Sequence, residues 1–163
     1  MWKIFEIFHK YKNMEKNNSE LILQLINEEK RCLYKQALQI ADTYWEASHE
    51  MMKSPNKADH CYIGTRVRLV RSTIVCEWYK NIPYSKNARK QRFASKYLKL
   101  NKTTKKYSMS NFTKEPLWAR MLIERSEGYY AEIRREYSIL CKCEKLIKQL
   151  SDDRNSRNET RKR

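Results

Sequence analysis

Residues 64–80 read GTRVRLVRSTIVCEWYK. Between Ser72 and Lys80 the apolar residues Ile74, Cys76 and Trp78 fall on alternate positions, while Arg71, Thr73 and Tyr79 take the opposite parity. A period of two marks a strand with one buried and one open face. Arg66 and Arg68 alternate with Val67 and Leu69 just upstream, so the strand is expected to begin near Thr65. After a turn-rich stretch, 81–90, Phe93 and Tyr97 alternate with Arg92 and Lys96 in a second strand. A further turn at 101–105 precedes a weaker third, carried by Tyr107 and Met109. The pattern predicts a three-stranded antiparallel basic meander over about residues 65–112, with Ile74, Trp78, Phe93 and Tyr97 on its apolar back.

Outside this segment the period is helical. Ser19 suits a helix N-cap, and Ile22, Ile26, Leu33, Ala37, Ile40, Tyr44, Ala47 and Met51 follow at steps of three, four or seven residues. A long amphipathic helix is expected from there to about Met52, stopped by the segment around Pro55 and Asn56. From Pro116 onward Trp118, Leu122, Tyr129, Ile133, Tyr137, Leu140, Ile147 and Leu150 define another helical face. Gly128 interrupts it, which predicts either a break between two helices or a close crossing. The fold class is therefore α+β: a long N-terminal helix, the meander, and one or two C-terminal helices. Residues 1–18 read as an N-terminal extension, 19–150 as one DNA-binding domain and 151–163 as a disordered charged tail.

Charge points to the partner. Between Gly64 and Lys114 there are fourteen Lys or Arg residues and one acid, Glu77, so 13 of the net +16 lies in 51 residues. The segment before it carries nine basic and nine acidic residues, and 115–150 carries seven against six. A solubilising coat intersperses both signs, whereas a localised cationic segment with aromatic residues inside it fits a polyanion. The expected DNA contacts are Arg66, Arg68, Arg71, Tyr79, Lys90, Arg92, Lys96 and Lys106, with Tyr84 a further aromatic candidate. A β-ribbon carrying them fits the major groove of double-stranded DNA. An RNA-binding module, or a helical scaffold for an acidic partner, would use the same charge.

The residues of familiar catalytic chemistries are missing. The eleven tyrosines have no evident metal or cationic clamp, the three histidines form no metal-binding pair, and Glu77 with Lys80 poorly imitates a nuclease centre. No GxxxxGK[ST] loop cradles a nucleotide phosphate. Five cysteines without a CxxC pair indicate neither a disulfide framework nor a zinc ribbon, which suits a reducing cytoplasm. The opening segment lacks the apolar centre of a secretory signal, and no apolar run approaches the roughly 20 residues that cross a bilayer, so no membrane insertion is expected. No enzymatic activity, cofactor or metal is expected either.

The stretches ADTYWEAS from Ala41, GTRVRLVRSTIVCEWYKN from Gly64, KQRFASKYLKL from Lys90 and LWARMLIERSEGYYAEIRREY from Leu117 carry a family likeness. Over about residues 37–140 the chain resembles the MobI family of bacterial conjugative-transfer accessory proteins. Its most specific block is Gly64, Arg66, Arg68, Ser72, Ile74, Glu77, Trp78 and Tyr79, followed by Phe93 and Tyr97. The resemblance implies an accessory factor acting at the origin of transfer of a plasmid or other mobile element, supporting recruitment of a separate relaxase. The helical faces also suit pairing with a second copy.

Overall fold

The computed structural model describes residues 2–83 and 93–160, with side-chain surroundings for 18–82 and 93–157. The order of elements is α1 (Trp2–Met51), β1 (Ile63–Val70), β2 (Thr73–Pro83), β3 (Phe93–Tyr97) and α2 (Leu117–Thr160), with short 3-10 turns at Lys57–Asp59 and Met109–Phe112. The fold is α+β, with one antiparallel sheet ordered β1-β2-β3.

Four features differ from the sequence reading. Helix α1 already runs from Trp2, so Ser19 is a buried interior position and not a cap. Helix α2 passes through Gly128 without a break and continues to Thr160, across most of the segment expected to be a disordered tail. The single strand expected over 65–80 is a hairpin, turned at Arg71 and Ser72. Both have positive φ, 47° and 62°, the backbone of a type I′ turn that favours Asn and Gly. The third strand is β3 itself; Tyr107 and Met109 lie in a loop and a 3-10 turn.

The chain forms two compact units, residues 1–32 with 138–163, and residues 33–137. In the first, α1 and α2 are tied by an ion pair between Lys30 and Glu144, and Lys148 reaches the same carboxylate at 2.6 Å. Several large apolar residues there stay exposed: Leu21, Ile22 and Leu25 on α1, and Ile139, Leu146 and Leu150 on α2.

The second unit holds the aromatic core. Trp78, Tyr44, Tyr130 and Phe112 are its largest fully buried side chains. Trp78 meets Tyr44 edge-on at 5.0 Å, Phe112 at 5.9 Å and Tyr130 at 5.8 Å, geometries that aromatic quadrupoles favour. Buried polar tips find partners: Tyr44 donates to the Ile63 carbonyl at 2.8 Å, and Trp45 to the Thr65 carbonyl at 3.1 Å. The inner sheet face is Ile63, Thr65, Ile74, Cys76 and Trp78, as the parity of residues 74–78 requires. On α1 the buried stripe is Leu33, Ala37, Ala41, Tyr44 and Ser48. On α2 the core tyrosines are Tyr130 and Tyr137, while Tyr129 is exposed.

Candidate nucleic-acid interface

Register decides what the open face of the sheet carries. Gly64 pairs with Tyr79, Arg66 with Glu77 and Arg68 with Val75; Tyr79 pairs in turn with Tyr97, and Asn81 with Ser95. Paired residues in an antiparallel ladder share a face. Tyr97 and Phe93 therefore stand on the outer side with Tyr79, and both are exposed, which corrects their assignment to the apolar back. Tyr62, also exposed, stacks with Phe93 at 6.1 Å and 27°.

The Tyr79 ring crosses directly over the backbone of Gly64. A Cβ there would lie 2.5 Å from the ring, so glycine is what lets the ring rest on the neighbouring strand. Tyr97 adjoins it at 5.7 Å, and the Arg66 guanidinium lies over Tyr97, 5.2 Å from the ring centroid, while donating to its hydroxyl. Partial burial pushes the Tyr79 phenol up, with the Arg66 cation opposing. Hydrogen bonding to Glu77 pushes Arg68 further into its charged form.

Glu77 organises the cations. Arg68 reaches its Oε1 at 3.0 Å and Arg66 its Oε2 at 3.5 Å, so one carboxylate is shared by two guanidinium groups. The sequence shows Glu77 only as a lone acid; its place opposite Arg66 follows from the hairpin register.

The remaining expected contacts are distributed differently. Arg71 stands exposed at the hairpin tip. Lys96 is exposed on β3 with the opposite parity to Tyr97, and Lys106 is exposed in the following loop. Lys80 turns to the inner side and pairs with Glu115 at 2.8 Å. Lys90 and Arg92, with Tyr84, lie outside the described residues. Arg66, Arg68 and Tyr79 are thus brought together, and Tyr62, Phe93, Tyr97, Gly64 and Glu77 join them. Parity within each strand was readable; which way β3 faces required its pairing partner.

Elsewhere in the second unit a cleft of about 470 Å3 is lined by residues that include Gln36, Gln39, Thr43, Leu122, Arg125 and Tyr129. Among the described residues its lining has one cation and no carboxylate, thiol or imidazole. Among the described residues no group of His, Cys, Asp and Glu could hold a metal ion, and no helix is long and apolar enough to cross a membrane.

The chain is, as a class, an α+β protein with one antiparallel sheet whose open face presents arginines and tyrosines. The family model described as MobI protein matches residues 33–148, and the chain belongs to the MobI family. Membership makes it an accessory protein of conjugative mobilisation. No curated protein and no solved structure matches the chain.

Proposed function

We propose that this chain binds DNA at the origin of transfer and supports recruitment of a relaxase without itself cutting DNA. The observation that carries the reading is the outer sheet face: Arg66 and Arg68 exposed beside Tyr79 and Tyr97, within a segment holding fourteen cations and one acid. Phosphate neutralisation supplies most sequence-independent DNA affinity, and exposed cations clustered in one segment are what it needs. A tyrosine nucleophile would need its pKa lowered, whereas burial pushes Tyr44, Tyr79, Tyr107 and Tyr130 upward. The exposed apolar residues of the first unit, Leu21, Ile22 and Leu25 with Ile139 and Leu146, suit a protein partner, either the relaxase or a second copy. The protein would act in the cytoplasm.

Recovery of DNA crosslinked to the tagged protein in its host cell tests this reading. One sharp peak at the origin of transfer is expected. Purified protein should shift origin DNA without nicking it, with magnesium or manganese added. A flat recovery profile together with no shift in vitro would overturn the proposal.

A further inference from the structure

The arrangement of the outer sheet face says which form of DNA it suits. Four aromatic side chains share this face: Tyr62 with Phe93, and Tyr79 with Tyr97. Phe93 and Tyr97 are four residues apart on β3, roughly 13 Å at about 3.3 Å per residue, so the two aromatic pairs lie at separate positions along the sheet with the Asn81–Ser95 pair between them. Tyr62, Phe93 and Tyr97 are 40 to 45% exposed, an unusual outlay of ring surface for a sheet that has a well-filled core on its other side. Rings packed into a core would present almost no surface to solvent; these three do.

The electrostatics separate centre from rim. At the centre, Arg66 and Arg68 share Glu77, so the triad holds one net positive charge, and Arg66 is pinned over Tyr97. A duplex phosphate backbone laid across this centre would meet a carboxylate. The exposed cations without that carboxylate lie outside this centre: Arg71 at the hairpin tip, and Lys99, Lys102 and Lys106 in the segment after β3. An aromatic centre with a cationic rim matches a strand whose bases are unstacked and whose phosphates run outside them. Base pairs in a duplex bury those same π-faces against one another.

We propose that the outer face of this sheet is a stacking platform for single-stranded DNA, with Tyr79 and Tyr97 as the central pair, Tyr62 and Phe93 as the second, and the rim lysines with Arg71 on the phosphates. The proposal rests on the DNA-binding reading and adds the strandedness. Gly64 is a positioning residue: it acts only by letting the Tyr79 ring lie across β1. Stacking on aromatic side chains is sequence-tolerant, so a homopolymer is a fair probe.

The test is fluorescence anisotropy at one salt concentration with labelled (dT)20, a labelled 20-base-pair duplex and labelled (U)20, on the full chain. The parent should bind (dT)20 at least about tenfold more tightly than the duplex. Tyr79→Leu/Tyr97→Leu, which keeps apolar bulk and removes the π-faces, should weaken (dT)20 binding about tenfold or more, within the roughly 5- to 150-fold expected per stacked base. Tyr79→Phe/Tyr97→Phe should restore most of it. Gly64→Ala keeps every ring but displaces Tyr79, and should weaken (dT)20 binding about threefold or more with an unchanged melting curve; it serves where the leucine variant melts early. Equal or tighter duplex binding, or leucine and alanine variants that bind (dT)20 like the parent, would overturn the platform and leave the DNA-binding reading standing. No binding to either DNA would overturn both, and tighter binding of (U)20 would assign the face to RNA.

Discussion

Glu127 and Arg134, seven residues apart on α2, meet as a buried bidentate pair, with Oε1 and Oε2 of the carboxylate accepting at 2.9 and 3.0 Å. The same carboxylate accepts from the Trp78 indole at 2.8 Å and from the Tyr107 amide at 2.9 Å, while Arg134 donates to the carbonyls of Lys105 and Cys76. One ion pair thus fastens strand β2 and the loop after β3 to α2. Among the described residues, Arg134 Nε alone is a buried side-chain polar atom without a hydrogen-bond partner.

Removing one member leaves the other charged in the core. Glu127→Gln or Arg134→Met should therefore cost about 3–5 kcal/mol, measured by urea unfolding, while Glu127→Leu/Arg134→Met together should cost less than the sum. Single variants that unfold at the parent's midpoint would show that the network adds nothing to stability.

Trp78 has two separable roles. It is fully buried, so Trp78→Ala should lose about 3–5 kcal/mol. Trp78→Phe keeps much of the ring but deprives Glu127 of a donor, and should lose about 1.5–3 kcal/mol. The order Ala worse than Phe worse than parent checks the assignment by denaturant midpoint.

Gly128 sits inside α2 with nothing within 4 Å of where a Cβ would stand. It marks neither a break nor a close crossing. Gly128→Ala should stabilise the fold by about 1 kcal/mol, because glycine costs about that much in a helix interior. A lowered melting temperature would mean that a partner or a neighbouring element needs the space.

Burial pushes the Cys61 thiol up to about 11 and that of Cys76 to about 12. The folded state then holds protons that the unfolded state, near 8.5, releases. Their contribution is present in full below about pH 8.5 and is lost as pH rises through 11 and 12. At pH 8 a maleimide should label the exposed Cys32 quickly and leave Cys61 and Cys76 unmodified, and Cys61→Ala/Cys76→Ala should flatten the alkaline fall in stability. Fast labelling of either buried thiol would contradict the packing.

The two switches of hydrophobic period carried the fold class, because period two and period 3.6 place apolar residues on incompatible faces. Parity placed Ile74, Cys76 and Trp78 inward. The hairpin was hidden because Arg71 and Ser72 lack the Asn-Gly chemistry that announces a type I′ turn. Phe93 and Tyr97 were turned the wrong way because alternation gives faces relative to one strand, and only the Tyr79–Tyr97 register fixes β3 against the others. On α2 the apolar count favoured Tyr129 over Tyr130, one residue off the true core line. The Glu127–Arg134 pair left no trace in the pattern, since charges at that spacing are ordinarily solvated. The candidate face was half readable: its cations and Tyr79 announced themselves, while the pairing of Glu77 with two arginines and the outward facing of Phe93 and Tyr97 did not.

Glu77 gives the sharpest test of how the face uses its charge. It is the one acid of the cationic segment and holds Arg66 and Arg68 together, so Glu77→Gln adds one net positive charge at the centre and releases both guanidinium groups. If phosphates contact these arginines, DNA affinity should rise several-fold at low salt. The log K against log salt slope should then steepen by up to about 0.9 for duplex or about 0.7 for a single strand. If Glu77 serves instead to hold Arg66 flat over Tyr97, affinity falls although charge has increased, and the slope barely moves. The first outcome is expected for duplex DNA, whose contact with the face is through phosphates, and the second for (dT)20, whose bases need the ordered rings. An identical response of both probes, in either direction, would show that strandedness does not decide how DNA meets this face.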